Sequence, residues 1–583
     1  MYEVRGARNK LVSFNNLLIC SFFVLGFIGI VNHELWQDEM QAWMIATDTS
    51  SIADLLENLK YEGHTALWYL CLRILNWFND NPFTMQVFHL IIATINICIF
   101  AIFAPFNKLQ KLLFAFGYFP FYEYNILSRN YNLGILLTFS FCALFFIRRK
   151  NYFSLAIILA LLAHTNIFGL ILTIVLQLTL LLETFIESEP ISFKRWDFIA
   201  SFFIVILSIV GAIIQLKPPA ARVQGNLIPS DTTVWQTIFA QISDLDRLME
   251  LISNVWKAYF PIYLFSPWLE SITLFLLAVT FFSLVLKIFI KRSPIRFSYL
   301  ATTFLLICIF VFNRSHKFFS LEISNYAALL GALVSLAILV WFSSWFVRQP
   351  LILFLYLSGS LGIFLFTYLI YYSDNLRHTG HFFFLFIICY WLQENRNNST
   401  LFAIEPSVAI ERYKKQAIAL LFLIHSFAGI FAYSNDLIRP FSMSKATSNY
   451  IENTQLNNLP LMGVPDERVS AIPGYLNRKI YYPQSDRWGT FVIWDSQREN
   501  VTAKEIVEPS KERQLIKRNI AGEMNKIVQE NPTDVLFVST APINFQIPGL
   551  KITPIKQFIA DTIGRENSYR LYLIQKKALP NKK

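Results

Sequence analysis

The stretch "WQDEMQAW", Trp36 to Trp43, decides how this chain is read. It follows an apolar run over residues 11–31 that contains no Asp, Glu, Lys or Arg, and it sets Asp38 and Glu39 side by side where that run ends. Ionisable groups at the edge of a hydrocarbon layer are costly, so a chain that keeps two carboxylates there has a use for them.

The composition establishes the layer. The 583 residues are 55% hydrophobic and 16% aromatic, with 56 Phe and a mean hydropathy of +0.44. A soluble domain of this length cannot bury so much apolar surface. Segments of about 20 apolar residues, enough to cross a bilayer as a helix, recur from residue 11 to residue 434. The expected class is a polytopic α-helical membrane protein, 1–434, followed by a soluble α/β domain, 435–583. In that last part "TFVIWD" (490–495), "DVLFVST" (534–540) and "YRLYLI" (569–574) read as strands, and 502–530 reads as a helix. The first run lacks a small-residue cleavage site, so it reads as a retained helix. All six cysteines lie in apolar stretches and imply neither a disulfide framework nor a thiolate metal site. The net charge of +11 is spread over short loops, which fits a positive-inside bias and argues against nucleic acid.

The cationic clusters orient the chain. Arg5, Arg8 and Lys10, then Lys108 and Lys111, Arg148 and Arg149, Lys194 and Arg195, Lys287 to Arg296, Arg348, and Arg412 to Lys415 mark the cytoplasmic side. Crossings are expected at 11–31, 84–104, 109–124, 130–147, 152–164, 166–186, 197–216, 262–286, 297–313, 322–347, 350–372, 379–394 and 416–434. That is about thirteen transmembrane helices, with the N-terminus cytoplasmic and the C-terminal domain external, in an inner (plasma) membrane. The run 152–186 is divided at His164 to Asn166. The segment 66–78 is too short to span and lies in the outer interface. In the first external loop, 32–83, Ile52, Leu55, Leu56 and Leu59 make an amphipathic helix with Ser51 and Asp54 at capping-box positions. A second external loop, about 217–258, contains "KPPAARVQGN" and is expected to be able to move.

This threading collects polar residues on the external side: Asp38, Glu39 and His64 in the first loop, Glu123, Arg129 and Tyr131 from "YEYNILSRNY", His164 and Asn166 from the fifth–sixth turn, and Arg377, His378 and His381 from "RHTGH". Singly, an interfacial Arg or His snorkels or caps a helix. Converging from four loops, acid on one wall and cationic groups on the other suit a phosphate-bearing donor and a hydroxyl or amine acceptor. Adjacent carboxylates can take a proton or hold a divalent cation such as Mg or Mn.

A short first crossing, an acidic pair in the first external loop and "EGHTALWYL" (62–70) resemble the GT-C fold of polyprenyl-phosphate-sugar glycosyltransferases, in particular the protein O-mannosyltransferase and lipid A aminoarabinose transferase branch. The resemblance covers about the first 190 residues. It implies a catalytic or metal-associated Asp38 with Glu39 beside it, and an acceptor-side interfacial helix at His64 to Leu67, where Thr65 and Ala66 replace the family's prolines. At the next corner Glu123, Arg129, Tyr131 and Leu133 match, with a longer Glu-to-Arg spacing. The implied reaction moves a hexosyl or pentosyl group, with inversion, from a polyprenyl-phosphate carrier to a lipid, glycan or protein acceptor. Donor phosphate and sugar binding then fall to Glu123, Arg129, Tyr131, His164, Asn166, Arg377, His378 and His381. The competing class is a polytopic transporter or lipid flippase; charges near the bilayer midplane on broken helices and repeated halves, its usual signs, are not evident.

Overall fold

Backbone within hydrocarbon has no water to bond, so apolar stretches of this length satisfy themselves as helices. The computed structural model describes residues 2–148, 151–186, 196–217, 245–264, 272–279, 321–367, 375–395, 408–495, 498, 521–543, 546–560 and 568–577. Among them six helices are long and apolar enough to cross a membrane: Ser13–Asn32, Phe83–Phe103, Ile167–Ile186, Trp196–Leu216, Ala328–Phe346 and Tyr413–Ile438. These make the chain an integral membrane protein. Shorter apolar helices, among them Tyr152–Ala163 and Pro350–Phe366, complete the described bundle. Leu17, Leu207, Ile214 and Val340 project outward, as a lipid-facing surface requires. Inside, phenylalanines pack ring on ring, Phe100 stacked on Phe114 at 3.9 Å and Phe342 tilted against Phe386 at 4.0 Å between centroids.

The chain divides 152–186 where expected, into Tyr152–Ala163 and Ile167–Ile186. Three expectations fail. The crossing at 109–124 is not one helix: Lys108–Ala115 stops, Gly117 is extended, and Tyr118–Glu123 forms a π-helical turn containing Pro120, which has no N–H to continue the ladder. The last helix packs closely on this break, because a Cβ on Gly429 would lie 2.6 Å from the Phe116 carbonyl oxygen. Of the loop expected over 217–258, residues 218–244 lie outside the described residues, and the last part is an amphipathic helix, Leu245–Tyr259, that buries Leu251, Val255 and Trp256 against Leu321–Phe346. The stretch 490–495 is not a strand. The crossing at 297–313 and the greater part of that at 262–286 lie outside the described residues.

The first loop holds three helices, α2 (Gln37–Asp48), α3 (Ile52–Glu62) and α4 (Leu67–Asn76). In α3 the Ser51 hydroxyl accepts the Asp54 N–H at 3.1 Å, and Leu55 and Leu59 are buried while Ile52 and Leu56 face outward. Beyond Ile438 a six-stranded sheet forms in the order β3-β2-β1-β4-β6-β5, with β1 Leu461–Val464, β2 Ile480–Tyr482, β3 Arg487–Gly489, β4 Val535–Ser539, β5 Leu550–Phe558 and β6 Tyr569–Lys576. β2, β1 and β4 run parallel; β3, β6 and β5 pair antiparallel. Residues 521–530 are helical, and the rest of the expected 502–530 helix lies outside the described residues.

This sheet domain sits on α2. Gln41 acts as a backbone surrogate, its amide donating to the Val492 carbonyl at 2.7 Å and accepting the Val492 N–H at 3.0 Å. That explains the missing strand: the polar backbone groups of Val492 are taken by a side chain instead of a neighbouring strand. The Leu35 carbonyl accepts the hydroxyls of Ser444 and Tyr475. Gly474 approaches so closely that a Cβ there would fall 2.3 Å from Met40 Sδ.

Candidate active site

Asp38 occupies the first turn of α2, where the helix dipole favours an acid. Its Oδ2 meets two guanidinium groups, Nη1 of Arg129 at 2.7 Å and Nη1 of Arg377 at 2.8 Å. The carboxylate side chain is 26% exposed and the two arginines 13% and 12%, so the cluster is sheltered but reachable. One negative charge between two positive ones leaves a local surplus of positive charge. Arg377 also lies over the Trp36 ring, 5.6 Å from its centroid.

Each arginine is held by its backbone. Arg129 follows the π turn in the segment 124–130; the Ser128 N–H donates to Glu39 Oε1 at 2.6 Å, while the His89 ring reaches the carbonyls of Asn125 and Arg129, each at 2.9 Å. Arg377 is the second residue of the Leu376–Asn395 helix, and its carbonyl accepts the Tyr124 hydroxyl at 2.5 Å. Tyr131, at the start of its helix Tyr131–Leu144, is hydrogen-bonded to His378 Nε2 at 2.9 Å. The charged and ionisable groups acting on buried His378 include Arg377, His381, Arg129 and His64, and those acting on buried Tyr69 include Arg129, Tyr131 and Asp38. Asp38, Arg129, Arg377, Tyr131, His378 and His64 therefore share one neighbourhood, and Tyr69 joins it.

The remaining expected site residues have other partners, although His381 borders this neighbourhood, its ring 5.6 Å from that of Tyr131. Glu39 turns away from Asp38: its Oε2 accepts from Trp36 N–H at 3.2 Å and His33 Nε2 at 3.0 Å, and its side chain is fully buried. Glu123 accepts the Tyr118 hydroxyl at 2.6 Å. The His164 carbonyl accepts the Leu67 N–H at 3.3 Å and its ring bonds Gln215, which in turn accepts the Ala66 N–H, so this corner anchors α4. Asn166 caps the Ile167–Ile186 helix through the Gly169 N–H at 3.0 Å. His381 donates from Nδ1 to the His378 carbonyl at 3.0 Å and stacks on Phe168 at 4.1 Å, beneath Tyr131.

The carboxylate pair as placed does not fit a divalent cation. Asp38 is engaged by two arginines and Glu39 spends both oxygens on donors, and among the described residues no group of three His, Cys, Asp or Glu could hold a metal.

His33, Tyr69, His89 and Asp436 are not among the residues expected at the site from the sequence. His33 and Asp436 carried a signal: both are ionisable residues at the ends of apolar helices, as Asp38 is.

Fold and site together define a polytopic helical membrane protein with a partly exposed cluster of two arginines joined by one aspartate. No protein-family model matches the sequence, and no curated protein does. The backbone is similar to two crystal structures of ArnT from Cupriavidus metallidurans, each at 10% identity. The apo form gives a TM-score of 0.37 over 97% of this chain and 98% of that one. The form bound to undecaprenyl phosphate gives 0.36 over 96% and 97%.

Proposed function

We propose that this protein is a membrane glycosyltransferase that moves one sugar from a polyprenyl-phosphate carrier to a lipid, glycan or protein acceptor at the outer face of the inner membrane, with inversion at the transferred carbon. The N-terminus is cytoplasmic and the sheet domain external. The observation that carries the reading is the single carboxylate oxygen of Asp38 shared by Arg129 and Arg377. Two guanidiniums converging on one oxygen are arranged for a tetrahedral oxyanion, and the surplus charge favours one.

The cluster implies an order of events. A donor phosphate competes with Asp38 for the same Nη groups; as it binds, the carboxylate is freed. Asp38 then accepts the proton of the acceptor hydroxyl or amine as that atom attacks the sugar, and the bond from sugar to phosphate breaks. Arg129 and Arg377 hold the charge left on the phosphate, where preorganised donors contribute most. Tyr131 and His378, bonded to each other, line the neighbourhood with polar groups that can meet sugar hydroxyls.

The test is turnover of radiolabelled polyprenyl-phosphate sugars by the purified full-length protein in nanodiscs with cell-envelope extract as acceptor. Label should pass from the polyprenyl fraction to an acceptor. No transfer with any pentosyl or hexosyl donor, under conditions where polyprenyl phosphate binds, would refute the proposal.

A further inference from the structure

Behind the pocket lies a second, fully enclosed cluster of charge. His33 follows the first membrane helix, and its ring stands between two carboxylates, Nε2 3.0 Å from Glu39 Oε2 and Nδ1 2.8 Å from Asp436 Oδ2. Both are acceptors when ionised, so both ring nitrogens must carry a proton and the ring is an imidazolium. Burial works against that charge, but Asp436 and Glu39 outweigh it and raise His33 to about 10. Asp436 sits near the end of Val408–Ile438, the last membrane helix. Glu39 is the sequence neighbour of Asp38, and its other oxygen takes the N–H of Ser128, the sequence neighbour of Arg129.

We infer that Glu39, His33 and Asp436 form a positioning relay that fixes Asp38 and Arg129 relative to one another by tying both backbones to the last membrane helix. The inference rests on the transferase reading for its consequence in turnover, but not for the coupling itself. The hydrogen-bonded route from the far member, Asp436, to the backbones of Asp38 and Arg129 runs through His33 and Glu39.

Two measurements separate the relay from ordinary packing. The first is hydrogen exchange of the peptide covering 125–132 in the full-length protein: Asp436→Asn should accelerate exchange there by tenfold or more, because the acceptor of the Ser128 N–H is loosened. Unchanged exchange in that peptide overturns the relay whether or not the protein transfers sugar. The second is a double-mutant cycle on turnover. Asp436→Asn should lower turnover at least fivefold in the wild-type background and less than twofold in an Arg129→Lys background, where the positioned group is already altered. Equal losses in the two backgrounds would mean a merely structural residue. If Asp436→Asn does not fold, His33→Gln, which breaks the route while leaving Glu39 as the acceptor of the Ser128 N–H, serves both measurements with the same criteria. A wild-type protein that transfers nothing sinks the transferase reading alone, and the exchange result still decides the relay.

Discussion

Replacing Asp38 by Asn should move catalysis and donor binding in opposite directions. In the proposed mechanism Asp38 stands in for the phosphate, holding Arg129 and Arg377 at 2.7 and 2.8 Å. A donor that claims the arginines must displace it. Each pair is partly exposed, so after solvent screening each is worth about 0.5–1 kcal/mol, and the displacement costs about 1–2 kcal/mol in all. Asn keeps the shape and hydrogen-bonds weakly to the same groups but carries no charge, so most of that cost disappears. Polyprenyl phosphate should then bind roughly 5- to 30-fold more tightly. Turnover should fall by about 10²- to 10⁴-fold, because the amide cannot accept the acceptor's proton. Equilibrium binding of polyprenyl phosphate in nanodiscs, paired with single-turnover transfer at saturating donor, reads both quantities on one preparation. Weaker phosphate binding by Asp38→Asn would show that the carboxylate does not compete for the arginines. Near-normal turnover would show that it is not the base.

Arg377→Lys keeps the charge but loses the planar fork and the placement over Trp36, so donor affinity should weaken by about 1–3 kcal/mol with little change in melting temperature; donor titration that matches wild type would return Arg377 to a packing role. His33 predicts a pH dependence of stability: a raised pKa means its contribution is fully present below about pH 6.5 and is lost as pH rises through about 10. His33→Gln should therefore melt lower than wild type at pH 7, with the gap narrowing toward pH 10. The charged groups around it are Asp436, Glu39 and Glu34, the last with Lys445 nearby; burial pushes Glu34 up to about 7, so the pair of proteins is best compared in a Glu34→Gln background, and a constant gap from pH 7 to 10 would contradict the assignment. Gln41→Ala strands the buried N–H and carbonyl of Val492 and should cost about 2–4 kcal/mol, visible as earlier proteolytic release of the sheet domain on heating.

The sequence made the bundle legible because period and length carry it. Uncharged runs of membrane length appeared as helices, and the break at His164 to Asn166 was visible as a polar interruption. The helix broken at Gly117 was not, since hydropathy sees apolar residues and is blind to an extended glycine followed by a π turn. In the sheet domain β4 and β6 stood out as β-branched and aromatic runs, whereas β1 contains Gly463, β2 and β3 are three residues each, and β5 carries Pro554 beside a bulge. At the site, Asp38, Arg129 and Arg377 could be selected as costly charges at membrane level. Their arrangement could not, because partners 91 and 339 residues apart along the chain are joined by folding alone. Glu39 shows the limit most directly. Adjacent residues on a helix point about 100° apart, so the dipeptide that looked like one bifunctional acid splits between two environments.

The tie from His33 to Asp436 also sets a schedule for biosynthesis. The two residues are 403 positions apart, and at about 5–20 residues per second the ribosome needs roughly 20–80 s to deliver the second after the first. Val492, which receives Gln41, comes later still. Through that interval Glu39 can already take the Trp36 and Ser128 N–H groups, while His33 still lacks its second carboxylate. If the relay holds, the site gains its anchor only when the last membrane helix arrives, and a nascent chain halted before residue 436 carries Asp38, Arg129 and Arg377 without it. On the proposed reading the site is completed long after its aspartate is made, because Asp436 follows Asp38 by 398 residues.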